Sequence, residues 1–132
     1  MHILPMNKMS GAEKMALLMC SNSKKYEPIV VCGGESLKKA FDDKGIDTYA
    51  LSFGKKDLLK TLKSLKSLIK EKNIEILHCH DNTASLYGYM LKKIYMLDVK
   101  VISHIHNCYP WIKAGGINKK IDGIFRPKYD FN

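Results

Sequence analysis

The sequence predicts an α/β domain: a Rossmann-like, doubly wound parallel sheet of about five strands with helices on both faces. Three observations predict it. Short apolar runs such as Ile29-Val30-Val31-Cys32 alternate along the chain with amphipathic stretches of helical length. That alternation persists from Ile3 to Ile105. Finally, 132 residues, 45% hydrophobic and 27% charged, suit one ordinary globular core. Crossovers between parallel strands are right-handed, which distributes the helices over both faces.

The first apolar run, Ile3-Leu4-Pro5-Met6, reads as a strand that breaks into a loop at Asn7-Lys8-Met9-Ser10-Gly11. Ser10 with Glu13 three positions on forms a capping box, so a first helix from Glu13 to Cys20 presents its N-terminus above the strand. Gly11 lets backbone amides come close to a ligand there. Pro28 to Cys32 is a second strand, stopped by Gly33-Gly34, and Ser36 to Lys44 a second helix with Gly45 as its C-cap. Ile46 to Phe53 alternates as a third strand. Leu58, Leu62, Leu65 and Ile69 mark an amphipathic helix from Lys56 to Lys72 that Asn73 closes. A fourth strand from Ile74 to His78, a helix from Asn82 or Thr83 to Leu97, and a fifth strand from Val99 to Ile105 complete the pattern. From Lys113 to Asn132 no closing strand or cap is evident.

No apolar run approaches the roughly eighteen residues of a membrane span, and the N-terminus has no basic segment followed by a long apolar one. The expected location is cytoplasmic, with the inner face of the membrane as a peripheral option. Cys20, Cys32, Cys79 and Cys108 form no CxxC pair and read as free thiols. Lys and Arg total 22 against 13 Asp and Glu, and Arg126 is the only arginine. Nucleic-acid readers rely on arginine forks and aromatic stacking, so nucleic acid is not an expected partner. An anionic membrane surface or a phosphorylated substrate fits a lysine-rich face better.

Ligands of doubly wound sheets bind beyond the carboxyl ends of the strands, where strand order reverses. The segments to watch are therefore Met6 to Ser10, Cys32 to Glu35, His78 to Thr83 and Ser103 to Trp111. Strand four ends His78-Cys79-His80-Asp81-Asn82 and strand five ends Ser103-His104-Ile105-His106-Asn107, which brings four of the five histidines to one sheet edge. Alternate positions place His78 with His80, and His104 with His106, on one side of their strands, as a metal site would need. The spacing matches neither HExxH nor CxxC elements, so no metal or other cofactor is expected. His78 and His104 read as partly buried, backbone-bonded side chains. His80 and His106, nearest the loops, read as ligand-binding or general-base candidates. GxGxxG, GxxxxGK[ST] and GxSxG are all missing, which removes the dinucleotide, Walker-type and serine-hydrolase readings.

Ser10-Gly11-Ala12-Glu13, Ile76-Leu77-His78-Cys79-His80-Asp81 leading into Ala84-Ser85-Leu86-Tyr87-Gly88, and Val101-Ile102-Ser103-His104-Ile105-His106-Asn107 together resemble the N-terminal domain of retaining family 4 glycosyltransferases. These have the GT-B fold, in which two Rossmann-like domains face each other across the reaction cleft. The resemblance implies that residues 1–132 are the acceptor-side domain, incomplete at its C-terminus and without the nucleotide-sugar-binding half. It implies a nucleotide-sugar donor, a saccharide or lipid-linked acceptor in surface polysaccharide synthesis, and little turnover without a separate donor domain. Ser10 and Gly11 take the place of the family's glycine pair, with Ser10 where the first glycine is usual. His80 matches the strand-four histidine. His106 matches the strand-five histidine beside the transferred sugar, as a catalytic positioning residue, with Asn107 following it and Tyr109 and Trp111 bordering the acceptor cleft. The alternatives are a non-catalytic partner of a donor domain, or a stand-alone α/β ligand- or metal-binding protein.

Overall fold

A computed structural model describes residues 1–106 and 115–132. Five parallel strands form one sheet in the order β3-β2-β1-β4-β5. They are β1 (His2–Leu4), β2 (Ile29–Cys32), β3 (Asp47–Ala50), β4 (Ile76–His80) and β5 (Lys100–His104). The connecting helices are α1 (Gly11–Ser21), α2 (Glu35–Asp42), α3 (Leu58–Glu71) and α4 (Asn82–Ile94), and a fifth, α5 (Ile117–Phe125), follows β5. The order of the strands reverses between β1 and β4, as the doubly wound reading requires.

Period-two alternation sorts the core into two layers. Ile3, Val31, Leu77, Cys79 and Val101 face one side and pack with Leu62, Leu65, Ile69, Tyr87 and Leu91 from α3 and α4. Leu4, Val30 and Cys32 face the other side and pack with Ala16, Cys20, Leu37 and Phe41 from α1 and α2. The predicted leucine stripe of α3 therefore lies on the sheet, with its lysines outward. Helix α4 approaches most closely at Gly88, where a Cβ would stand 2.8 Å from Cys79 Sγ and 3.0 Å from Val101 Cγ1. Cys20, Cys32 and Cys79 are free and buried, and burial pushes the thiols of Cys20 and Cys79 up to about 11 and about 12. Cys108 lies outside the described residues.

Several boundaries differ from the sequence reading. Strand β4 runs two residues further than predicted, so His80 is its last residue rather than part of a loop. Strand β3 stops at Ala50, and Leu51 leaves it after one bond to the Cys32 carbonyl (2.9 Å). Helix α4 ends at Ile94, before a left-handed Met96 (φ 52°) turns the chain. The C-terminus does carry a closing element. Phe131 bridges in parallel to Ile102, Ser103 N–H donates to the Phe131 carbonyl (2.8 Å), and Val101 N–H donates to Asp130 Oδ2 (2.7 Å). Lys92 of α4 clamps the same carboxylate at 2.6 Å. Two residues are too few to show a strand period, which is why the sequence conceals this edge.

Replacing Gly88 by Ala improves helix propensity by about 1 kcal/mol. The contact with Cys79 and Val101 outweighs that gain, since overpacking a tight core costs about 1–3 kcal/mol. Gly88→Ala is expected to lower the urea midpoint with an unchanged slope; a raised midpoint would show that α4 can lift from the sheet freely.

Candidate functional site

The carboxyl edge of the sheet carries a cleft of about 590 Å³ at the switch point. Pro5, Met6 and Asn7 line it from the end of β1, Gly33, Gly34 and Glu35 from β2, Ser52, Phe53 and Gly54 from beyond β3, and Asp81 and Thr83 from β4. Three of the four segments singled out in the sequence contribute, and the 51–54 segment joins them because β3 ends early. The loops pack without room for side chains: a Cβ at Gly33 would stand 2.0 Å from the Pro5 carbonyl oxygen, and Gly33 N–H donates to the Met6 carbonyl (2.8 Å).

Ser10 caps α1. Its amide donates to Glu13 Oε2 (3.1 Å) and its side chain meets the Glu13 amide, which closes the predicted capping box, while its hydroxyl also donates to Glu13 Oε2 and Glu13 is buried. Gly11 is exposed, and among the described residues a side chain there would meet no atom within 4 Å. Packing among the described residues thus makes no demand for glycine at this position.

All five histidines lie on the sheet face that α1 and α2 cover at its other half. His2 Nδ1 meets His80 Nε2 at 2.9 Å, His80 Nδ1 meets His106 Nε2 at 2.8 Å, and His78 Nε2 meets His104 Nδ1 at 3.0 Å. The result is a hydrogen-bonded row His2-His80-His106 lying against a second row, His78-His104. Face-to-face contacts join the rows, with ring centroids 4.4 Å apart for His78 and His80 and 4.0 Å for His104 and His106. A neutral imidazole offers one donor and one acceptor, and His80 uses both. Burial, then the neighbouring imidazoles, push the pKa of His2 down to about 3, of His78 to about 4 and of His80 to about 2. His106 is lowered by the same causes, while Glu13 pulls the other way.

This arrangement corrects two expectations. His80 is not at the loop surface: it is 2% exposed, with Nε2 bonded to His2 and Nδ1 bonded to His106. His78 and His104 bond each other rather than the backbone. His106, just past β5 and half-buried, has its Nε2 on His80, and among the described residues its Nδ1 has no partner. Asn107, Tyr109 and Trp111 lie outside the described residues. Two groups of three, His2-His78-His80 and His80-His104-His106, each bring ligand nitrogens within 4.8 Å of one another.

Sequence reading passed over His2 and Asp81. His2 joins the row because β1 lies beside β4, with His2 opposite His78; the reversal of strand order expected of a doubly wound sheet was the available signal. Asp81 sits at φ 98°, ψ 176°, a backbone region that costs a non-glycine residue about 1–3 kcal/mol and that collects at functional sites. Its Oδ1 accepts the Ala84 N–H (2.9 Å) and caps α4. Burial raises its pKa to about 6, against hydrogen bonds from Ala84 and Thr83 that lower it. Asp81 also lines a second, mostly apolar cavity of about 620 Å³ walled by Leu58, Leu86, Tyr87, Met90 and Phe125. There the buried amide nitrogen of Asn82 has no hydrogen-bond partner among the described residues.

A parallel α/β sheet whose loops form a cleft at the switch point defines a Rossmann-like domain. Residues 10–130 match the sequence profile of Glycosyltransferase Family 4, and the chain belongs to that family. A glycosyltransferase crystal structure from Rickettsia africae ESF-5 is similar in fold, with a TM-score of 0.66 and 19% identity over 86% of this chain. The match covers 31% of that longer protein. No curated protein sequence matches the chain.

Two outcomes follow for acidity. Between pH 6.5 and 5 the unfolded chain binds protons at His2, His78 and His80 that the folded protein refuses, so stability falls with pH by up to about 1.4 kcal/mol per unit for each. Asp81 opposes this with one proton, because its raised pKa makes the folded state bind first. Denaturation midpoints should therefore decline from pH 6.5 to 5, and a flat profile would mean that the folded imidazoles are charged. Asp81→Asn keeps the cap acceptor and removes the buried charge; at pH 8 it is expected to leave stability equal or raise it by about 1 kcal/mol. A loss above that size would assign the carboxylate charge a stabilising partner.

Proposed function

We propose that the chain is the acceptor-side half of a retaining glycosyltransferase, moving a sugar from a nucleotide sugar to a saccharide or lipid-linked acceptor in surface polysaccharide synthesis. One observation carries the reading: in a family 4 chain, the described loops converge on a switch-point cleft, with His106 just beyond β5. His106 orients the reacting sugar through Nδ1, while the His80 bond at its Nε2 holds the ring. Ser10 and Gly11 offer backbone amides at the start of α1, and Asn107, Tyr109 and Trp111 continue the acceptor side. The donor is gripped by a second Rossmann-like domain, in the same polypeptide or a partner, and the half alone turns over little sugar.

Two features support a lipid-linked acceptor at the inner membrane face. The apolar cavity shares Phe53, Asp81 and Thr83 with the cleft, so a greasy tail and a sugar head have adjoining places. The net charge of +9 favours anionic lipid, at about 1 kcal/mol per lysine near the surface. Among the described residues no helix is long and apolar enough to cross a membrane.

The test pairs the chain with its donor half and measures transfer from a nucleotide sugar to a prenyl-phosphate-linked saccharide. His106→Ala is expected to lower kcat on the order of 100-fold through lost positioning, in a protein that still folds but melts somewhat lower because the buried His80 Nδ1 loses its partner. Gly11→Val should raise KM by blocking the open approach to α1. Wild-type kinetics in both variants would sink the assignment.

A further inference from the structure

A positioning role for His106 needs one hydrogen bond behind the ring, yet five imidazoles are gathered in the layer. We propose that His80, His104 and His106 bind one divalent transition-metal ion of the zinc, cobalt and nickel class. Nδ1 of His80 and Nε2 of His106 already face each other at 2.8 Å. Metal-to-nitrogen bonds of about 2.0–2.1 Å in a tetrahedron need those atoms roughly 3.3 Å apart, so the rings part by about 0.5 Å. His104 spends Nδ1 on His78, so its Nε2 becomes the third ligand atom once the ring turns out of its face-to-face contact with His106 (centroids 4.0 Å apart), because a bound ion lies in the plane of each imidazole.

The remaining histidines hold the ligands in the required protonation state. A metal-bound imidazole donates its other N–H to a fixed acceptor, which sets the tautomer and the ring orientation. His2 Nδ1 stands at His80 Nε2 to accept that proton, and His78 Nε2 stands at His104 Nδ1. On binding, His106 carries its proton on Nδ1 instead of Nε2, so three neutral imidazoles bind the ion and no proton has to leave. All three donors are nitrogen, which selects borderline metals over calcium or magnesium. Half-burial of His104 and His106 leaves the fourth position open to water or an oxygen ligand, the form of an exchangeable site rather than a folding clamp. The other trio, His2-His78-His80, shares His80, so the layer holds one ion. This inference stands independently of the sugar-transfer reading.

The untagged chain, stripped with EDTA and dialysed, is titrated with Co²⁺ and followed by its visible d–d bands. The expected result is saturation at one equivalent with intense tetrahedral bands, displaced by Zn²⁺. His104→Gln and His106→Gln should each abolish the tetrahedral bands and weaken binding at least tenfold. His2→Gln should keep the bands at reduced affinity. Bands that survive both His104→Gln and His106→Gln but vanish in His2→Gln would overturn the ligand assignment. Absence of saturable bands in the wild type would overturn the site. Should a variant misfold, wild-type melting decides: Zn²⁺ must raise the melting temperature and EDTA must reverse it, and no rise counts against the proposal.

Discussion

The structure depends on bonding five imidazoles to one another on a sheet face. Across β1 and β2 that face is apolar, with Leu4, Val30 and Cys32 under α1 and α2. Across β4 and β5 that face carries His78, His80 and His104 toward its carboxyl edge, and a buried polar group without a partner costs about 1–3 kcal/mol. The layer resolves this internally, since each ring supplies what its neighbour lacks. It also pins the register. A slip of one residue in β4 would send Leu77 and Cys79 into the imidazole layer and the histidines into the core beneath α3 and α4.

That constraint shapes the carboxyl edge as well. Because β4 extends to His80, the chain must turn at once into α4, and Asp81 absorbs the turn at a positive φ while capping the helix with its own side chain. Strain, burial and a raised pKa thus meet in one residue at the switch point, between the polar cleft and the apolar cavity. Such a combination marks sites where function overrides local preference. The early end of β3 belongs to the same geometry, because it frees Ser52, Phe53 and Gly54 to wall the cleft.

Family membership gives the cleft its meaning, and the similar solved structure agrees in fold while being roughly three times longer. The polar layer also constrains His106, because its Nε2 is bonded to His80 and the orientation of its ring is thereby fixed.

The sequence by itself determined the class of fold, the order of elements, the capping box of Ser10 and Glu13, and the gathering of four histidines at one edge. Those features are written in periodicity and short-range chemistry, which a chain carries locally. Only the tertiary structure decided that His2 completes the row, that His80 is buried with both nitrogens used, that Asp81 is strained, and that Asp130 and Phe131 close the β5 edge. Each of these depends on which strands become neighbours and in what register. Residues 2 and 80 meet across β1 and β4, and residues 131 and 102 across a two-residue bridge. Pairings over such separations leave no mark in local spacing, because they are settled by packing the whole sheet at once.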